Sequence, residues 1–207
     1  MFIRPISGIA RFPLARHSCT NSIRSESNKG LQMNLDFVQA NLEQHRKILL
    51  DFNIAYITWA GDCVREHFGL SLPSLLGMPI SDYAQSSLDK LFEETPPRGV
   101  FYIVFNGEVA LGMGGLRRLR DGVSEIKRIY VSPASRGGGV GAKILDQLMR
   151  DAKSYGYDEL VLETGPFMTS AHPIYEAAGF MDIPPFVEAE VPEALRHDWR
   201  FMRRQLS

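Results

Sequence analysis

Between Ser124 and Glu163 the hydrophobic pattern changes period twice, and this constrains the fold more than any other feature of the chain. Ser124 to Val131 (SEIKRIYV) has strand character, and Glu159 to Glu163 (ELVLE) has it again. Between them Val140, Ile144, Leu145, Leu148, Met149 and Ala152 form one apolar stripe at helical spacing, and Gly156 is placed to end that helix. A strand, a helix and a second strand predict a parallel pair with a right-handed crossover. The segment entering the helix, Arg136 to Gly141, reads RGGGVG and holds four of the chain's 18 glycines. Glycine weakens strands and helices alike, so four together need a reason. They make either a loose surface turn or a cradle whose main-chain N–H groups approach an anion closely.

The chain before this unit reads as antiparallel. Val100 to Phe105 (VFYIVF) is rich in β formers, and Asn106-Gly107 is a short-hairpin signal. Glu108 to Arg118 reads as the return strand, with a bulge suggested by Gly112, Gly114 and Gly115. Asp121-Gly122 turns the chain into the Ser124 strand. Further upstream, Leu35 to Gln39 reads as a weak first strand. Asn41 offers an N-cap with Gln44 as capping-box partner, Leu42 to Trp59 has helical spacing, and Gly69 ends a second helical stretch from Val64 to Phe68. Ser71 to Ile80, with Pro73, Gly77 and Pro79, reads as a loop, after which Ser81 caps a short helix ending near Phe92. Ser170 caps another, closed by Gly179, and a last strand is expected near Trp199 to Arg203. The sum is a mixed α/β fold, antiparallel first and partly parallel later.

A chain of 207 residues, 44% hydrophobic, suits one domain with an appendage. A net charge of −1 gives no global sign of nucleic-acid or anionic-membrane binding, and no apolar run approaches the roughly 20 residues of a membrane span. Cys19 and Cys63 have no metal spacing and read as reduced thiols of an intracellular, cytoplasmic protein. Residues 1–33 form a separate extension. It carries Arg4, Arg11, Arg16, Arg24 and Lys29 against one acid, Glu26. That composition suits a mitochondrial transit peptide, although Pro5 and Pro13 would break a presequence helix and Met33 is an alternative start. A plain disordered extension fits equally, so the domain is taken as residues 34–207.

The glycine loop is not a Walker A loop, since Gly141 is followed by Ala142 where Lys is needed. Gly137, Gly139 and Ala142 fit the dinucleotide pattern G-x-G-x-x-A, but that pattern wants a tight turn directly off its strand, and Ser132 to Arg136 intervene. The stretch YVSPASRGGGVGAKIL resembles motif A of the GNAT superfamily of acetyl-CoA-dependent N-acetyltransferases, with Arg136, Gly139 and Gly141 at its signature positions. HPIYEAAGF resembles the family's later Tyr-x-x-x-Gly-Phe element through Tyr175, Gly179 and Phe180. EIKRIYV resembles a branch of small members, and the likeness spans about residues 35 to 204.

The resemblance implies the GNAT fold, with a splayed parallel strand pair, and acetyl transfer from acetyl-CoA to an amine without metal. Arg136, Gly137, Gly138, Gly139, Val140, Gly141 and Ala142 would hold the pyrophosphate at a helix N-terminus. Ile129, Tyr130 and Val131 would pair their backbone with pantetheine. Tyr175 matches the tyrosine that protonates the leaving thiolate. Glu125 falls where histone-acetylating members carry their general base, with His172 as competitor. Met168 departs from the family, because many members place a cofactor-bonding Asn there, seven residues before the tyrosine. The acceptor amine is open. Asp182, Glu188, Glu190 and Glu193 either ring its pocket or form a solvated acidic loop, and Tyr56 and Trp59 either line it or pack in the core. A catalytically silent acyl-CoA-binding module is the alternative function, and a homodimer stays open as the assembly.

Overall fold

A computed structural model describes residues 34–206, so the expectations for the N-terminal extension and Cys19 lie outside the described residues. Strand β1 (Asp36–Gln39) leads into α1 (Leu42–Phe68), one 27-residue helix where the sequence predicts two. Asn41 caps it, its Oδ1 accepting from the N–H groups of Glu43 and Gln44 at 2.8 and 3.2 Å. The reciprocal bond goes to His45 and not to Gln44: the Asn41 N–H donates to His45 Nδ1 at 3.0 Å. Gly61 does not break the helix. Its missing side chain lets α2 (Leu72–Leu76) cross closely, since a Cβ there would meet Leu72 at 3.4 Å.

Helix α2 lies where a loop is expected. Pro73 sits in its first turn, where a missing N–H costs nothing. Helix α3 (Ile80–Leu91) starts from Pro79 and not from Ser81. It is fixed to α1 by buried Asn53, whose amide donates to the Ala84 carbonyl at 2.7 Å and to Ser87 Oγ at 3.2 Å. Cys63 is buried in α1 and is not a free thiol, which corrects the expectation for it.

The remaining elements are β2 (Val100–Asn106), β3 (Val109–Arg120), β4 (Val123–Val131), α4 (Val140–Ser154), β5 (Glu159–Thr164), α5 (His172–Ala177), β6 (Met181–Ile183) and β7 (Arg200–Gln205). Helix α5 is preceded by Ala171 and has no side-chain cap from Ser170. The strands form one sheet in the order β1-β2-β3-β4-β5-β7-β6, in which only β4 and β5 run parallel. Helix α4 covers one face through Ile144, Leu145 and Leu148, packed on Leu160 and Met202. On another part of the sheet, Leu49 of α1 and Leu88 of α3 pack on Ile103 and Met113. Each such aliphatic side chain contributes about 1.5–3 kcal/mol on burial.

Two local features shape the centre of the sheet. In β3 the glycines serve close approach as well as a bulge: a Cβ on Gly112 would overlap the Tyr130 carbonyl, and one on Gly115 would overlap the Phe101 ring. The bulge itself lies on β4. Met113 faces Tyr130 and Gly115 faces Lys127, so Arg128 and Ile129 together oppose Gly114. Second, the parallel ladder is short. It joins Val123–Glu125 to Glu159–Val161 and stops, while β4 runs on to Val131 and β5 to Thr164. The two strands therefore splay into a fork.

Gly115→Ala is expected to lower stability by roughly 1–3 kcal/mol, because the Phe101 ring must move to admit a methyl group. Urea denaturation should show a lower midpoint with an unchanged slope.

Candidate functional site

The site is built around the fork. Ile129, Tyr130 and Val131 lie on the part of β4 beyond the parallel ladder, with Tyr130 and Val131 paired on their other side to Met113 and Gly112. Helix α4 begins beside them. Gly137 and Gly139 have φ of 82° and 75°, a region that only glycine enters without strain, and a Cβ on either would project into open space. The Lys143 N–H donates to the Gly139 carbonyl at 3.1 Å, so Val140, Gly141 and Ala142 have no carbonyl one turn back for their N–H groups. Buried Val140 anchors the helix end, while Gly137, Gly138 and Gly139 are exposed. Arg136 is tethered, its Nε donating to the Val131 carbonyl at 3.2 Å and its guanidinium lying 5.9 Å from the centre of the Trp59 ring.

Deeper in the fork, ion pairs stand where backbone bonds stop. Glu125 is 0% exposed. Its Oε2 accepts from Arg117 Nε and Nη2, both at 2.7 Å, and its Oε1 lies 3.2 Å from Lys127 Nζ. The same Nζ reaches Glu163 Oε1 at 3.4 Å and Glu190 Oε2 at 3.0 Å. Arg117 Nη1 reaches Glu190 Oε1 at 2.6 Å, and the Glu190 N–H donates to Glu163 Oε2 at 3.2 Å. Burying each ion alone would cost several kcal/mol, so they persist only as a group. Three carboxylates against two cations leave one net negative charge. Burial pushes the Glu125 carboxyl up, with Lys127 and Arg117 pulling against it. Burial also opposes the charge on Glu190, but Lys127 and Arg117 outweigh it and hold that carboxyl down at about 2.

A cavity adjoins this network, lined by Tyr56, Tyr83, Lys127, Arg128, Glu163, Met168, Glu190 and Trp199 among others. Glu125 is not on its wall and reaches it through Lys127. Tyr175 is half-buried on α5 against the α4 core, its ring 6.1 Å from that of Phe180. Burial first, and the Tyr56 phenol second, push its hydroxyl well above the usual tyrosine range, so it stays protonated. His172 does not line the cavity: its Nε2 lies 3.1 Å from the Gly165 carbonyl, and burial lowers its pKa. Met168 lines the cavity and accepts a bond from Thr164 Oγ1 at 3.4 Å.

The acidic residues near the C-terminus do not ring the cavity together. Asp182 pairs with Arg200, Glu188 pairs with Arg120, Glu193 starts a single 3-10 turn, and only Glu190 lines the wall. Tyr56 lines it too, whereas Trp59 packs edge-on against Phe167. Sequence reasoning missed Arg117, Arg128 and Glu163 as site residues. One signal was present: Glu125 and Lys127 are opposite charges two apart on a strand, hence on one face, amid apolar neighbours.

Residues 66–180 match the acetyltransferase (GNAT) family. The chain is 32% identical over 127 residues to the uncharacterized N-acetyltransferase YsnE of Bacillus subtilis, covering 60% of this chain and 80% of that one. It is 37% identical over 65 residues to the IAA acetyltransferase of Azospirillum brasilense, covering 31% of this chain and 42% of the other, so it spans under half of that relative's length. Among solved structures, the PaiA N-acetyltransferase of Thermoplasma acidophilum, in complex with coenzyme A, superposes with a TM-score of 0.62 at 15% identity, covering 84% of this chain and 100% of that one.

Glu125→Leu should destabilise the fold by roughly 3–5 kcal/mol, since it leaves Arg117 and Lys127 without their buried partner. Chemical denaturation at neutral pH measures this, and a loss below about 1 kcal/mol would mean the network is solvated.

Proposed function

This chain belongs to the acetyltransferase (GNAT) family, and on that premise we propose that it moves an acetyl group from acetyl-CoA to a primary amine by direct transfer in a ternary complex. The observation that carries the reading is the side-chain-free N-terminus of α4 at the mouth of the fork. The N–H groups of Val140, Gly141 and Ala142, with about half a positive charge from the helix, suit a pyrophosphate. The open space beside Gly137 and Gly139 is where a Cβ would otherwise intrude. Ile129, Tyr130 and Val131 offer backbone groups to pantetheine as an added strand would take them. One of their N–H groups suits the carbonyl oxygen as charge develops on it.

The acceptor must react as a neutral amine, which for a lysine-like group at pH 7 costs about 4.6 kcal/mol. In our reading the ion network takes that proton, since its net negative charge leaves room for one. Lys127 bridges the cavity-lining carboxylates to Glu125, where burial makes protonation cheapest. The carboxylates hold the Lys127 proton in place, so Lys127 passes one proton to Glu125 only as it takes another from the amine side. Glu125 is thus the proton's resting place, and it does not touch the amine. Tyr175, protonated throughout the physiological range, donates to the departing thiolate.

The reading is tested by following free coenzyme A release across polyamines, amino acids and lysine peptides, with acetyl-CoA binding measured by calorimetry. Gly141→Val should abolish that binding with little change in melting temperature, because a Cβ there makes only an ordinary 3.7 Å contact with Val131. Tight binding in the folded variant would overturn the cradle. Binding without turnover on any amine would favour a silent acyl-CoA-binding module.

Tyr175→Phe should keep acetyl-CoA binding and slow the chemical step by roughly 10²–10⁴-fold at every pH. Glu125→Gln should lose activity at neutral pH and regain part of it as pH rises, because the amine then deprotonates without help. Profiles of kcat/KM against pH separate the two, and a flat loss for Glu125→Gln would remove the proton-holding role.

A further inference from the structure

Arg128 is a half-buried cation on the wall of the cavity. The β4 bulge puts it at a φ of 56°, the one non-glycine residue with positive φ among those described. On a regular strand Lys127 and Arg128 would face opposite sides of the sheet. The bulge instead sends both to the wall of the same cavity. There the Arg128 guanidinium lies 5.4 Å from the centre of the Tyr56 ring and 5.9 Å from that of Tyr83. Its Nε is buried without a hydrogen-bond partner.

Among the described residues no carboxylate comes within ion-pair distance of it. Arg117 is satisfied by Glu125 and Glu190, and Lys127 by Glu125, Glu163 and Glu190. A guanidinium cannot escape burial by losing its proton, and its planar fork matches a carboxylate. Two aromatic rings lower the cost of holding the cation, and Tyr83 also hydrogen-bonds it, but Nε stays unpartnered.

We propose that Arg128 receives a carboxylate on the acceptor, so that the acceptor is an amino acid with an apolar side chain. This deepens the acetyl-transfer reading and rests on it. Arg128 sits beside a network with one net negative charge, so the cavity offers a cation to a carboxylate and carboxylates to an ammonium. Ile57, Val64, Leu72 and Leu76 supply apolar wall for the side chain.

The test compares leucine, leucinamide, isoamylamine and spermidine as acceptors for the full chain. Wild type should favour leucine over leucinamide and isoamylamine by about 10–100-fold in kcat/KM, the range for a hydrogen bond to a charged group. Arg128→Gln should erase that preference by raising the KM for leucine, with the KM for acetyl-CoA unchanged. Arg128→Lys should restore part of it. Equal use of leucine and isoamylamine by wild type, or a preference for spermidine, overturns the proposal. So does an Arg128→Gln variant that slows leucine and isoamylamine alike. If Arg128→Gln does not fold, the wild-type comparison alone decides. A second readout needs no turnover: calorimetry of N-acetylleucine with coenzyme A-saturated protein should show binding in wild type and not in Arg128→Gln. Failure of acetyl-CoA to bind would overturn the acetyl-transfer reading separately, and N-acetylleucine binding to the free protein would then decide the role of Arg128.

Discussion

The early end of the β4–β5 ladder is the constraint on which the rest of the site depends. Two parallel strands held along their whole length would close the sheet and leave no opening. Here the backbone pairing stops at Glu125 and Val161, and the continuation is held apart by side chains instead. Lys127 from β4 and Glu163 from β5 face each other just past the last paired position. Their ion pair, with Glu125, Glu190 and Arg117, replaces a row of backbone bonds by charges that must stay together to stay buried. The fork is therefore held by its own charges.

The neighbouring features follow from keeping that fork open. Helix α4 packs its apolar stripe on the sheet, which brings its glycine-rich start to the fork's mouth. Long α1 lies across another part of the sheet and brings Tyr56 to the cavity, while α3 brings Tyr83. The β4 bulge turns Arg128 out of alternation into the same space. Three elements distant in sequence thus enclose one cation. The glycines of β3 allow this crowding, since side chains there would strike Tyr130 or Phe101.

Much of this was legible in the residues. The change from period 2 to helical spacing and back placed β4, α4 and β5, and the turn signals at Asn106-Gly107 and Asp121-Gly122 placed the meander. Those signals are local, because hairpin turns and amphipathic stripes are set by neighbouring side chains. The glycine loop was legible for the same reason: it needs left-handed backbone at Gly137 and Gly139, and the residue type says so. The errors were also local in origin. The helical spacing of Leu42 to Trp59 and of Val64 to Phe68 read as two helices, but one helix runs through Gly61, whose missing side chain lets α2 approach. Ser71 to Ile80 looked like a loop because Pro and Gly punctuate it, yet both punctuators sit at the ends of a short helix.

The sequence by itself thus determined the meander, the β4–α4–β5 unit, the mixed sheet and the anion-suited helix start, all of which depend on spacing within a few residues. Only the tertiary structure decided what the charges do. Glu125 is buried, because Arg117 from β3 and Lys127 from its own strand satisfy it together. Of four acidic residues near the C-terminus, only Glu190 folds back to the cavity, while Asp182 and Glu188 are taken up by arginines on β7 and β3. Strand alternation put Arg128 opposite Lys127, and a one-residue bulge put them side by side. Charge pairing acts across space between residues far apart in the chain, and a bulge inverts every facing that alternation implies, so neither can be read from local pattern.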